Sequence, residues 1–346
     1  MFNTARQMKS FSTSVCILFV VISGACSPSP DKAPPRPQGS FKVALLTPGP
    51  VSDKSWNGGA YEGLMAIRDS LGAQVSHIQT KTPAEFDENF RQYGAKGFDL
   101  VFGHGFEFQD AAKRVSPSYP RTVYVTTSGT SVGKNLAGVD FSFEDASYVA
   151  GMVAGRMTKS NVVGLIGGTE LPPVKSSFEA FEQGARAVNP KVQFLVSYIG
   201  NWDDASAGKE QAIAQIARNA DVIMQNADAA GLGVFQAVKE ANHVWIIGSN
   251  SNQNSIVPDR TLGSIVINLP RAFLIIAREV KKGNFTGHVF SLGLPEGVVE
   301  YTPNPAVTNI VPAGVTEAAD SAQKELMSGT FKGKILPDSV RKEINR

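Results

Sequence analysis

The chain has 346 residues but only two cysteines, Cys16 and Cys26, both close to its start. Residues 27–346 therefore hold no thiol, which excludes from them a disulfide, a cysteine metal site and a cysteine nucleophile. Histidine is scarce as well. The four imidazoles, His77, His104, His243 and His288, show no HExxH or other metal-ligand spacing. Neither sign of charge dominates: 33 Lys and Arg stand against 31 Asp and Glu. No apolar run approaches the ~18 residues that a membrane-crossing helix needs. The phosphate loops of nucleotide enzymes are missing too. There is no GxxxxGK[ST], and Gly231-Leu232-Gly233-Val234-Phe235-Gln236 and Gly103-His104-Gly105-Phe106-Glu107-Phe108 each lack the third glycine of GxGxxG. No GxSxG elbow is present. Asp203-Asp204 is the one adjacent acid pair of interest, and neighbouring residues project in different directions. His104, at the end of a strand, is the one base to consider, and a rim or ligand-contact role suits it better. These absences leave an enzyme as the minor reading.

The N-terminus differs from the rest. Arg6 and Lys9 precede an apolar stretch, Val15 to Ile22, too short to span a bilayer. Ser23-Gly24-Ala25-Cys26 follows, a set of small residues before a cysteine. The segment has the form of a bacterial lipoprotein signal, with cleavage before Cys26 and lipid on its sulfur, although Ser23 stands where Leu is usual. The alternative is an ordinary secretory signal with an incidental cysteine. Ser27 to Ser40 is Pro-rich and lacks an apolar core, so it is expected to form an extended tether. Residues 1–25 hold two basic side chains and no acid, so their removal takes the formal charge from +2 to about 0. The sequence pI of 8.4 is then no argument for nucleic acid.

From Phe41 onward, strand and helix patterns alternate. Phe41, Val43, Ala44, Leu45 and Leu46 form a run fit for a central strand. Pro48, Gly49 and Pro50 end it. Ala60, Leu64, Ile67 and Leu71 then recur along one helix face. Between strand and helix lies Asp53-Lys54-Ser55-Trp56-Asn57. Such a loop, at the carboxyl end of a strand and beside a helix N-terminus, is where open α/β sheets hold ligands. The plainer reading is that Asp53 or Ser55 caps the helix and Trp56 packs on the rim. The alternation continues through Leu100-Val101-Phe102 and Thr122 to Thr127. A helix from Ser142 to Lys159 follows, whose Ala150, Gly151, Ala154 and Gly155 permit close packing. A second set runs from Val162 to Asn268, and further helices are marked by Leu269, Phe273, Ile276 and Val280 and by Val315, Ala319, Ala322 and Leu326. The pattern predicts an α/β fold of two similar lobes with mostly parallel sheets, joined by several crossovers. The expected division is 41–143 plus roughly 269–346 for the N-terminal lobe and 144–268 for the C-terminal lobe.

Polar-aromatic clusters recur after strands: Asp53 to Asn57, His104 to Phe106, Asn201 to Asp204, Asn226 to Gly231 and Asn250 to Gln253. One such cluster is an ordinary turn. Five, all at strand ends, point to a cleft between lobes. Trp56 and Trp202 would then face it from opposite sides, two flat rings suited to a planar ligand, with nearby Asp and Asn bonding its edge. Trp245 sits inside an apolar strand and reads as core.

These residues also carry a resemblance. DKSWNGGAYEGL resembles the DxSFNxxAxEGL signature of the basic membrane protein family of lipoproteins. Further matches follow in the same order: GHGFEFQDA from Gly103, SYVAGMVAGRM from Ser147, VVGLIGG from Val162, FEAFEQGARAVNP from Phe178, SYIGNWDDASAGKEQA from Ser197 and ADAAGLGVFQA from Ala227. The resemblance spans about Phe41 to Pro303. It implies the substrate-binding component of an ABC importer, with a type I periplasmic-binding-protein fold, a three-crossing hinge and a ligand enclosed by lobe closure. The partners implied are a transmembrane permease and its ATPase, with no cofactor and no nucleic acid. A lipid-anchored monomer in the cell envelope, facing the periplasm or exterior, is expected. By motif position Trp56 and Trp202 correspond to the aromatic pair that sandwiches a purine in nucleoside receptors. Asp53, Ser55 and Asn57 fall in the first ligand loop, Gly105 and Phe106 in a second, Asp203 beside Trp202, and Gly231 in a backbone-contact loop.

Two departures stand out. The family's GVDSDQ is here GSNSNQ, so a carboxylate that grips ribose hydroxyls becomes Asn250. A lysine usual in an SxxK pattern after the next strand is read as Asn268. Asn is a neutral donor and acceptor, so two opposite charges have gone together. The ligand expected is a flat heteroaromatic molecule, a purine nucleoside or base, with a flavin or other ring open. A sugar, which also stacks on Trp, is the competing solute. Asp228, where nucleoside receptors tend to carry Gly, is either a replacement carboxylate or a helix cap.

Overall fold

The structure is a computed structural model that describes residues 39–53 and 55–332. The expected signal, most of the expected tether and Cys26 lie outside those residues, as do residues 333–346. In chain order the first half comprises β1 (Lys42–Thr47), α1 (Trp56–Leu71), β2 (Gln74–Gln79), α2 (Pro83–Ala95), β3 (Leu100–His104), α3 (Gln109–Val115), β4 (Val123–Thr127), β5 (Leu136–Asp140) and α4 (Phe143–Met157). It continues with β6 (Val162–Gly167), α5 (Pro172–Val188), β7 (Gln193–Tyr198), α6 (Ala205–Ile216), β8 (Val222–Asn226), α7 (Gly231–Ala241), β9 (Trp245–Asn250) and β10 (Thr261–Ile267). The last elements are α8 (Leu269–Lys282), β11 (Val289–Ser291), β12 (Val299–Pro303) and α9 (Ala313–Met327).

Two sheets result. The first is parallel throughout and has the order β11-β5-β4-β3-β1-β2. The second has the order β12-β10-β9-β8-β6-β7, parallel except where β12 runs against β10. Central strands read as continuous apolar runs because helices cover both faces. Every residue of β3 and β8 is buried. Ala60, Leu64 and Ile67 turn the face of α1 inward, and Gly72, in the left-handed region at φ 62, ends the helix. Phe102 of β3 stacks on Phe273 of α8 at 4.2 Å, both fully buried. Burial of each is worth on the order of 2 kcal/mol. The close packing expected of α4 is present: a Cβ on Gly151 would strike the Phe181 carbonyl of α5, and one on Gly184 would strike that of Tyr148.

The chain passes between the sheets three times among the described residues: after β5, after β10 and between β11 and β12. These crossings divide the C-terminal region differently from the sequence expectation. α8 packs along α1 and β11 pairs with β5, so both go with the first sheet. β12 instead pairs with β10, and α9 lies on α4 and β12, so both go with the second. The alternation Val299 in, Glu300 out, Tyr301 in marks an edge strand but does not say which sheet edge it completes.

Candidate functional site

The carboxyl ends of both sets of strands open on one cavity of about 660 Å³. In the first lobe, the loops after β1, β3, β4 and β5 line it; in the second, those after β6, β7 and β8 and the ends of β9 and β10. This is where open α/β sheets place ligands.

Asp53 organises the β1–α1 loop. Its carboxylate accepts the main-chain N–H of Ser55 (2.9 Å), Asn57 (2.9 Å) and Gly58 (2.8 Å), and Nδ2 of Asn57 (2.7 Å). It thus satisfies the free N–H groups at the start of α1 and sets a negative charge on the helix's positive end. Ser55, at the N-cap position, makes no such bond. Its hydroxyl turns to the other lobe, 3.5 Å from Oδ1 of Asp228.

Trp56 is fixed from behind. Its ring stacks on His104 at 4.0 Å and 24° and meets Phe141 edge-on at 5.8 Å. His104 is fully buried, with Nε2 at 3.0 Å from the Trp56 carbonyl and Nδ1 at 2.9 Å from the Thr127 hydroxyl. A carbonyl only accepts, so Nε2 carries the hydrogen and Nδ1 accepts from Thr127. Burial pushes the imidazole down to about 3, so it stays uncharged. His104 is therefore not at the rim and not on the cavity wall. It holds Trp56 from beneath, a role that its place at a strand end did not reveal.

In the second lobe, Trp202 packs against Gly168, the residue after β6, where any Cβ would collide with the six-membered ring. Its carbonyl accepts the N–H of Ala230 at 3.0 Å, tying this loop to the start of α7. The Asn201 side chain accepts the N–H groups of Asp203 (3.1 Å) and Asp204 (2.8 Å), and Asp204 caps α6 through Ala207 (2.9 Å). Deeper in, Asn250 donates through Nδ2 to Asn226 Oδ1 (3.2 Å) and Asp228 Oδ1 (2.9 Å). Asp228 and Asn250 both hold positive φ, 48 and 66, which short polar side chains tolerate. Beneath them Gln225 Nε2 donates to Gln253 Oε1 at 2.7 Å, coupling the ends of β8 and β9. Burial, then repulsion from Asp53, pushes the Asp228 carboxyl up to about 8, with Glu107 adding to the repulsion. Burial also raises Glu107 and Glu144 on the same wall.

Residues 40–330 match the family described as ABC transporter substrate-binding protein, PnrA-like. The chain belongs to that family. It is a family of transporter binding proteins and not of enzymes. The chain is 28% identical over 365 residues to the CD4+ T-cell-stimulating antigen of Listeria monocytogenes, covering 97% of this chain and 98% of that one. It is 27% identical over 316 residues to the ABC transporter nucleoside-binding protein BmpA of Lactococcus lactis, covering 85% and 86%. Among solved structures, a solute-binding protein of an Aeropyrum pernix ABC transporter superposes with a TM-score of 0.76 at 21% identity, covering 88% of this chain and 97% of that one. That likeness gives the fold: two parallel-sheet lobes of the periplasmic solute-binding kind.

Within this PnrA-like frame, Asp53, Trp56, Asn57, Gly105, Phe106, Trp202, Asp203, Asp228 and Asn250 all line the cavity. Three residues expected there do not. Ser55 reaches it only through Asp228. Gly231 opens α7, and a Cβ on it would strike the Gln225 side chain, so its smallness serves packing. Asn268 is exposed and caps α8, its side chain accepting the N–H of Arg271 at 3.0 Å. Counted from Ser264, the fourth position of SxxK is Ile267, and Ile267 does line the cavity. The apolar residue, not the amide one place further on, stands on the wall. Sequence reasoning also passed over Glu107, Asp140, Phe141, Glu144 and the Thr169–Pro173 segment. Their position directly after strands was the available signal.

Among the described residues no helix is long and apolar enough to cross a membrane, and no cluster of side chains could hold a metal ion.

Proposed function

We propose that this chain captures a planar heteroaromatic solute, a purine base or nucleoside, and presents it to the permease and ATPase of an importer. In this reading Cys26 carries the lipid that holds the protein at the outer face of a bacterial membrane. The two lobes close on the ligand about the three crossings. The observation that carries the reading is that Trp56 and Trp202, one from each lobe, line a single cavity. Each indole face offers a base a stacking gain on the order of 1–3 kcal/mol. Asn57, Asp228 and Asn250 supply polar atoms for the ring edge, and Gly105 and Phe106 shape the wall. The name of the Lactococcus relative, nucleoside-binding, agrees with a purine ligand. No reaction is required. Binding has only to favour the closed state over the open one.

The test is mass spectrometry of small molecules released from the denatured purified protein. Calorimetry with adenine, guanine, hypoxanthine, their nucleosides and riboflavin then follows. A purine or other fused heteroaromatic ring is expected to bind in the micromolar range or tighter. A released sugar, with no ring in the panel bound, would overturn the reading.

A further inference from the structure

We propose that the ring held in this cavity carries a positive charge, with Asp228 as its counter-ion. This deepens the reading above and rests on it. The described wall carries seven carboxylates against a single amine, Lys113, and none of the seven is ion-paired with a described residue. Asp53 is saturated by its four N–H donors, but Asp228 is not. Asp228 is 5% exposed, and both of its bonds, from Asn250 and Ser55, fall on Oδ1. Its Oδ2 takes no hydrogen bond from a described residue, and the side chain lines the cavity. Its two hydrogen-bond donors, Asn250 and Ser55, are both uncharged.

An uncharged ring would leave this carboxyl buried among like charges, where protonation is its cheapest state. A phosphate would meet repulsion from the whole wall. A cationic ring within about 4–6 Å restores the carboxylate and gains its attraction in a cavity that screens poorly. The same ring gains from both indoles, because a cation over an aromatic face is drawn to the ring's negative centre. Asp228 and the tryptophans thus select one class of heteroaromatic ligand, the class with a positive ring.

The experiment compares two isomers on the purified protein by calorimetry at about pH 6. One is 1-methyladenosine, whose ring is positively charged there. The other is adenosine methylated on its exocyclic amine, which is neutral. The charged isomer is expected to bind at least roughly tenfold more tightly, and Asp228→Asn is expected to cut that ratio by about the same factor. Equal binding of the two isomers, or a ratio unchanged in Asp228→Asn, overturns the inference while leaving the stacking site in place. Binding of neither isomer, together with failure of the purine and flavin panel, overturns the stacking site and this inference with it. The wild-type ratio decides the matter by itself should the variant fail to fold.

Discussion

The two tryptophans of the cleft are set in unlike ways. Trp56 is backed by a buried imidazole whose ring nitrogens are tied to the Trp56 carbonyl and to Thr127. Its jaw is part of the first lobe's core. Trp202 rides on a turn held by Asn201 and rests on a bare glycine. Its jaw is a surface loop that gets its shape from side-chain-to-backbone bonds. Both indoles pack against the core, but one is held by a buried side chain and the other by the hydrogen bonds of its own loop. The cost of disturbing each should differ in kind.

The largest effect lies behind Trp56. His104 is neutral in the folded protein, with its titration moved from 6.5 down to about 3. Above pH 6.5 the imidazole is neutral in both states and contributes nothing to pH dependence. As pH falls below 6.5, the unfolded chain takes up a proton that the folded chain refuses until about 3. Stability is thus lost on acidification across that window, by at most about 1.4 kcal/mol per pH unit. Denaturant midpoints measured across it should fall for wild type and fall less steeply for His104→Gln. Parallel slopes for the two proteins would show that the imidazole is not sealed behind the indole.

Next come the tryptophans themselves. Trp56→Ala should weaken binding of the native ligand by roughly 1–3 kcal/mol. It should also cost about 2–3 kcal/mol of stability, since it opens a hole over His104 and Phe141. Trp202→Ala should weaken binding by a similar ~1–3 kcal/mol while costing under about 1 kcal/mol of stability. Calorimetry and thermal denaturation of both variants separate the two effects. Equal stability losses would remove the distinction between the jaws, and wild-type affinity in both would remove the sandwich.

Much of this was legible in the residues. The runs Val43–Leu46 and Leu100–Phe102 read as buried strands, and the helix faces of α1 and α8 follow from spacing. The two indoles were legible because each follows a strand in a polar cluster. What was hidden depends on contacts distant in sequence. Val299–Tyr301 has the pattern of an edge strand, but its partner β10 is chosen by how the third crossing folds back. His104 reads as a functional imidazole until Trp56, 48 residues earlier, is seen covering it. Asp53 looked like either a ligand residue or a cap. It serves fully as the cap and still faces the cavity.

Position 268 shows how fine the limit is. A motif counted one residue long placed Asn268 in the cleft, but β10 ends at Ile267 and Asn268 already stands at the N-cap of α8. Ile267 is buried against the cavity, while Asn268 is exposed and spends its side chain on the N–H of Arg271. Asn268→Ala should therefore cost about 1 kcal/mol of stability through the lost helix cap. Ligand affinity should stay within the error of calorimetry. Leu269 and Phe273, which seat α8 against Gly59 and Gly63 of α1, keep the helix in place without that cap. If Asn268→Ala loosened the ligand while leaving the melting temperature unchanged, the amide would belong to the site after all, and the wall would have to be redrawn around it.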